Sequence, residues 1–205
     1  MIFKRINAVF NPECYHGWGI NKRFFEGWYF KIISSDQNFA YAFIPGIAMD
    51  KNGKKQSFIQ VLDGKKLTSD YHKFNFNDFK PSSYSFDVKI LNNKFSDQNM
   101  ILDLPNIKGK ISFGDLFRWP SNLFSPGIMG PYSFVPFMEC YHGIISMNHN
   151  LSGSLKINNK DVNFNNGKGY IEKDWGHSFP EAYIWLQCNN FESKKISIKA
   201  SVAKI

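Results

Sequence analysis

The run Gly169–Gly176, Gly-Tyr-Ile-Glu-Lys-Asp-Trp-Gly, concentrates groups able to do chemistry. On a strand, alternate side chains point to opposite faces, so Glu172 and Asp174 share one face and Lys173 and Trp175 the other. Two carboxyls on one face can split their titrations and leave one of them protonated. Burial strengthens that tendency, and a neutral carboxyl in a dry pocket serves as an acid. Asp174 is the first candidate for that acid and Glu172 the next. The competing reading is an Asp-Trp-Gly turn in which the carboxylate only fixes its own backbone. Glu139, Tyr141 and His142 form another polar cluster. Glu139 and Tyr141 share one strand face and His142 takes the other. His142 has the titration range of a proton shuttle, although a lone histidine is also an ordinary core or surface residue. Glu26, Trp28 and Phe30 alternate along one face further upstream, which makes Glu26 another acid candidate. Trp28, Trp175 and Trp185 are candidate pocket walls, or core packing alone.

Much other chemistry finds no support in the 205 residues. Cys14, Cys140 and Cys188 are odd in number and widely spaced, against a disulfide framework. No Cys-x-x-Cys pair exists, and His16, His72, His149 and His177 share no metal-ligand spacing. No P-loop, nucleophile elbow or dinucleotide-binding glycine pattern appears, so no cofactor and no metal is expected. The net charge is +8, yet the lysines are scattered in pairs such as Lys54–Lys55, Lys65–Lys66 and Lys194–Lys195. Without a nucleic-acid-binding motif, this charge does not point to nucleic acid. Contact with anionic membrane lipid is the other use of such a surface. Residues 1–7 lack the apolar run of a secretory signal, and no apolar stretch approaches the ~20 residues of a membrane helix. The sequence reads as a soluble cytoplasmic protein, peripheral to a membrane at most.

Strands must hold these groups in place. Gly27–Ile33 and Phe39–Pro45, separated by the polar turn at 34–38, read as a hairpin. Gln56–Leu62 ends at the turn pair Asp63-Gly64. In 72–79, Phe74 and Phe76 alternate and are expected on one sheet face. Tyr84–Ile90, Lys110–Phe113, Ser154–Ile157, Ala182–Cys188 and Lys195–Val202 read as further strands. Residues 115–137 hold Pro120, Pro126, Pro131 and Pro136 with Gly127 and Gly130, and read as a structured loop, a lid or a plain crossover. Many short strands with turns at near-regular spacing imply an all-β sandwich or barrel. The aromatic share of 17%, with 21 Phe, suits strands that enclose an apolar ligand, or a core simply filled by Phe. The last ten residues read as strand without a hairpin partner. That edge invites pairing between chains, so an incomplete domain or a homo-oligomer is expected.

Four segments carry a family resemblance. They are Phe25–Lys31; Ser125–Gly130 running on to Phe134–Gly143; Leu151–Gly153; and Gly169–Gly176, followed by Ser178–Pro180 and Trp185–Asn189. In this order the chain resembles the tocopherol cyclases of photosynthetic organisms and their bacterial relatives, over nearly its whole length. The resemblance implies a lipocalin-like antiparallel β-barrel architecture, akin to carotenoid hydratase-type proteins. Residues 1–150 would form a first β-domain, and 151–205 the start of a second, incomplete relative to the family. It also implies closure of a prenylated hydroquinone to a chromanol, an isomerisation in vitamin E biosynthesis that consumes no cofactor. That reaction needs an acid to protonate an alkene, aromatic faces to stabilise the cation, and a phenol held close enough to capture it. Asp174, Glu172, His142 and Glu139 are the catalytic candidates, and Glu26, Trp28, Phe30, Tyr141, Trp175 and Trp185 the ligand-binding ones. The rival is a carrier of a quinone or other apolar isoprenoid ligand without turnover, which needs no carboxyl facing the ligand. A structural domain without ligand would show a filled barrel interior.

Overall fold

The computed structural model describes residues 7–136, 138–191 and 196–204. The opening residues 1–6, Phe137 of the second motif segment and the pair Lys194–Lys195 lie outside the described residues. Strands dominate the chain: β1 (Phe24–Ile33), β2 (Ala40–Met49), β3 (Lys55–Asp63), β4 (Thr68–Phe74), β5 (Phe79–Pro81), β6 (Asp87–Ile90), β7 (Asn93–Ser96), β8 (Asn99–Asp103), β9 (Ile107–Phe113), β10 (Cys140–Ile157), β11 (Lys160–Asn163), β12 (Lys168–Gly176), β13 (Ala182–Cys188) and β14 (Ile198–Lys204). Every ladder between them is antiparallel. The fold is all-β, as expected. Among the described residues no helix is long and apolar enough to cross a membrane.

Twelve strands form one sheet in the order β4-β3-β2-β1-β12-β10-β9-β8-β7-β6-β5, with β11 paired to β10. The edges β4 and β5 do not pair, so hydrogen bonds do not close the sheet into a ring. These edges are nevertheless consecutive in the chain, joined only by residues 75–78. A link of that length spans at most about 3.5 Å per residue, so the sheet must curl until its edges approach. β10 runs continuously through position 150, and β12 lies between β1 and β10 in the same sheet. β13 and β14 form a separate two-stranded sheet, so the C-terminal strand finds its partner in β13.

Alternation decides what fills the curl. Along β1 every second residue is buried: Phe24, Glu26, Trp28, Phe30 and Ile32. Trp28, Phe30, Phe43, Ile47, Ile59, Phe95, Met100, Ile111 and Ile171 belong to one cluster without measurable exposure. The inside of the curled sheet is therefore packed with side chains rather than hollow. A ligand chamber inside it, one of the two uses foreseen for the aromatic excess, is replaced by the other, a Phe-filled core. Trp28 and Phe30 are members of that core. Phe74 and Phe76 also depart from the alternation read in the sequence. Phe74 ends β4, but Phe76 opens a 3-10 turn, Phe76–Asp78. The Asp78 carboxylate accepts the Asn75 backbone N–H at 3.1 Å, and Asp78 N–H donates to Asn75 O at 3.0 Å. This local ring of hydrogen bonds outcompetes the strand.

One charged pair sits within the apolar interior. Lys173, on the inner face of β12, bonds Glu26 at 2.5 Å, and both side chains are fully buried. Its ammonium also donates to the Cys14 carbonyl and, at 2.7 Å, to His16 Nδ1. Its three N–H donors thus all have acceptors. It lies 4.7 Å from the Trp28 ring centroid and 4.8 Å from that of Trp175, within cation–π range. Glu26 accepts the backbone N–H groups of His16 and Gly17. Burial pushes the Glu26 carboxyl up, but Lys173 and His16 together outweigh it and hold it below the usual carboxylate range. Burial and then Lys173 lower His16 to about 4, so its ring is neutral at pH 7. The neutral tautomer that fits has Nε2–H donating to Ala8 O at 3.0 Å, with Nδ1 accepting from Lys173.

Removing one partner of a buried pair leaves an uncompensated charge. Lys173→Met alone is expected to lose about 3–5 kcal/mol in urea unfolding. Glu26→Gln with Lys173→Met is expected to lose clearly less than the sum of the two single losses. Strictly additive losses would show the pair to be uncoupled.

Candidate active site

Because Lys173 and Trp175 point inward, Tyr170, Glu172 and Asp174 point to the outer face of β12. The neighbouring strands fix what stands beside them. Glu172 lies opposite Tyr29 of β1 and Ile144 of β10, and Asp174 lies opposite Gly27 and His142. Gly27 has no side chain and lines the same cavity as Asp174. The β13–β14 hairpin lies over this face. Trp185 Nε1 donates to Glu172 Oε2 at 3.1 Å, and Lys31 Nζ donates to Gln187. Asn189 donates to Gly169 O at 2.8 Å, and Ser197 to Met147 O at 2.7 Å.

A connected polar cluster results. Tyr170 donates its hydroxyl proton to Glu172 Oε2 at 2.5 Å, the same oxygen that Trp185 reaches. His142 Nδ1 is 2.7 Å from Asp174 Oδ1. The assignment that fits is Nδ1–H donating to the carboxylate, with the Nε2 lone pair facing Glu172. His142 Nε2 is buried without a hydrogen-bond partner and lies 3.4 Å from Glu172 Oε2. Both donors to Glu172 go to Oε2, which leaves Oε1 without a donor among the described residues. Burial is the largest influence on Glu172 and raises its pKa, and the nearby Asp174 adds to this. His142 and the Tyr170 and Trp185 hydrogen bonds oppose it without reversing it. Burial, then Glu172, pushes Tyr29 up to about 12. The Tyr170 hydroxyl is held protonated by the same two causes in the same order.

Glu172 and Asp174 line a cavity of about 460 Å³. Its walls include Phe25, Tyr29, Phe58, Phe179, Tyr183 and Trp185. Phe25 stacks on Phe179 with centroids 4.6 Å apart, and Tyr29 meets Trp185 edge-on at 5.6 Å. A cation formed here would face π-clouds on several sides.

The residues singled out in the sequence divide among three places. Glu172, Asp174 and His142 form the outer cluster, with Trp185 as wall and hydrogen-bond donor. Glu26, Trp28 and Phe30 are interior residues of the curled sheet. Trp175 and Tyr141 stack on each other at 5.7 Å and line a different cavity, near the N-terminal segment. Glu139 precedes β10; its carbonyl accepts the backbone N–H groups of His177 and Ser178, and its side chain lines neither cavity. Tyr170 and Tyr29 were not foreseen. The signal for Tyr170 was available, since it precedes Glu172 by two residues and so shares its face. Tyr29 became a neighbour only through the β1–β12 register.

Comparison with known proteins agrees with the motif segments. A family model described as tocopherol cyclase-like matches residues 106–204. Chloroplastic tocopherol cyclase of Zea mays is 25% identical over 144 residues, covering 69% of this chain and 27% of that protein. Probable chloroplastic tocopherol cyclase of Oryza sativa subsp. japonica is 29% identical over 68 residues, covering 33% of this chain and 14% of that protein. The matches thus span 27% and 14% of those relatives' lengths. Among solved structures, CghA with Sch210972 aligns with a TM-score of 0.45 at 13% identity, and CghA alone with 0.46 at 12%. Each alignment covers 76% of this chain and 46% of the other.

The raised Glu172 pKa has a thermodynamic consequence. A carboxyl raised above its unfolded value of about 4.5 binds more protons in the folded state across the window between the two values. Stability therefore falls as pH rises through that window and levels off above the folded pKa. Glu172→Gln keeps an oxygen for Tyr170 and Trp185 but cannot ionise. The melting temperature of the wild type relative to this variant is expected to be highest near pH 4 and to decline as pH rises. A constant or rising difference in calorimetric melts would contradict the raised pKa.

Proposed function

We propose, on the premise that this chain is a tocopherol cyclase-like protein matched over residues 106–204, that its outer cavity closes a prenylated hydroquinone to a chromanol. The observation that carries this reading is a buried Glu172, its pKa raised by burial, facing an aromatic cavity beside a His–Asp pair. The reaction needs no change of oxidation level. Glu172, protonated on the oxygen that Tyr170 and Trp185 leave free, gives its proton to the alkene of the prenyl tail. The tertiary cation forms against the faces of Tyr29, Phe179 and Trp185, which stabilise it without trapping it. The phenol oxygen, held nearby, attacks the cation and closes the ring, and proximity makes this an intramolecular step.

The phenol proton leaves for the carboxylate of Asp174, which lines the cavity and is held at Oδ1 by His142 Nδ1. Asp174 thereby acts as the base, positioned by His142, and Glu172 as the acid. The sequence had ranked these carboxyls in the opposite order. Exchange with solvent through the cavity then carries the proton back to the free oxygen of Glu172. Each turnover adds one proton to carbon, removes one from oxygen and restores the site.

In heavy water, a prenylated hydroquinone is expected to gain one deuterium on the carbon beside the new ether carbon. Glu172→Gln is expected to reduce kcat by at least 100-fold, the usual contribution of a general acid, while ligand binding followed by Trp emission changes little. His142→Gln is expected to lower kcat by a smaller factor. Ligand binding without product in the wild type would replace the enzyme by a carrier of apolar isoprenoids. Full turnover in Glu172→Gln would remove Glu172 as the proton source.

A further inference from the structure

A cavity of about 460 Å³ lies on the other side of the sheet from Glu172, and the cyclisation above makes no use of it. The turn Ala8–Pro12, residues 126–136 with Met138, and the inward-facing Trp175 with Tyr141 enclose it. Its walls are mainly apolar: Val9, Pro12, Phe134, Val135 and Trp175. Arg23 and His177 are the exposed basic residues of its lining. Of the two described arginines, Arg118 pairs with Glu13 at 3.9 Å and with Asp97 at 2.7 Å. Arg23 pairs with no carboxylate among the described residues. An unpaired guanidinium beside an apolar cavity complements one kind of small molecule, an apolar tail that ends in an anionic, planar head. A cavity of this volume is within the range that encloses such ligands.

We propose that this cavity binds a long-chain carboxylate, with its tail against Val9, Phe134 and Trp175 and its carboxylate on Arg23. The site is independent of the cyclisation cavity, because β12 separates them: Trp175 faces one and Asp174 the other. The tail would slide beneath Phe134, Val135 and Pro136, and its carboxylate would stay at the solvent edge. His177, another exposed residue of the lining, supplies a further donor to the head.

The experiment uses cis-parinaric acid, whose emission rises in apolar surroundings, with the complete chain and three variants. The wild type is expected to bind one equivalent. Arg23→Gln, at an exposed position where folding is not at stake, should weaken binding by about tenfold, the loss of one charge-assisted contact. Val9→Trp should fill the cavity and remove binding. Leu62→Trp, which fills the Glu172 cavity instead, should leave it unchanged. The methyl ester should bind the wild type about as weakly as the acid binds Arg23→Gln. Equal affinity for acid and ester would overturn the carboxylate assignment. No binding by the wild type, or binding lost in Leu62→Trp but kept in Val9→Trp, would overturn the site.

Discussion

The Lys173–Glu26 pair fixes the register on which the rest of the molecule depends. Lys173 lies opposite Trp28, and Glu26 opposite Trp175, across the β1–β12 ladder. A slip of one residue would exchange the two faces of β12. Lys173 would then lie outside, while Glu172 and Asp174 would enter the interior beside Glu26 with no cation to meet them. Burying unpaired carboxylates costs several kcal/mol each, so the slipped register is not competitive. A fully satisfied ammonium between two indole rings thus determines which carboxyls face outward. The same pair gathers Cys14, His16 and Gly17 onto the inner end of the sheet. The N-terminal segment is held by a charge, and that segment forms one wall of the second cavity.

The two faces of β12 then have opposite electrostatic character. Inside, Lys173 keeps Glu26 ionised, and it neutralises the pair where water is excluded. Outside, among the described residues, no lysine stands in hydrogen-bonding contact with Glu172, and its donors are the neutral Tyr170 and Trp185. Desolvation therefore prevails at Glu172 and yields at Glu26, although both carboxyls are buried. Two glutamates on adjacent strands have pKa values displaced in opposite directions because Glu26 has an ammonium in direct contact, whereas Lys31 and Lys199 act on Glu172 only at longer range. Separation of this kind distinguishes a structural carboxylate from a candidate acid.

Much of this was legible from period-two alternation. That Glu172 shares a face with Asp174, and Lys173 with Trp175, follows from their spacing alone, but which face is inner does not. The β1–β2 hairpin was legible from two β-rich runs flanking the polar turn at 34–38, and burial then alternates along all ten residues of β1. What alternation cannot supply is volume or distant approach. Whether aromatics line a chamber or fill a core depends on how tightly the sheet curls, and here Phe30, Phe43 and Phe95 close it. His16 and Cys14 reach Lys173 from more than 150 residues away, so no local pattern signals the contact. The sequence did contain an unused clue. A lysine on the core face between Ile171 and Trp175 demands a buried carboxylate, and Glu26 is on the matching face of β1. The 3-10 turn at Phe76 escaped notice because Asn75 and Asp78 break an apparent strand by hydrogen bonds that hydrophobic spacing does not reveal.

The account depends most on the protonation state of Glu172 in the folded protein. Titration of its side-chain carboxyl carbon by ¹³C NMR, assigned by comparison with Glu172→Gln, measures that state directly. The expected midpoint lies above the ordinary glutamate value of 4.5, with Glu26 in the same spectra titrating below it. A Glu172 midpoint at or below 4.5 would mean that its donors outweigh burial, and the cluster would then hold no neutral acid.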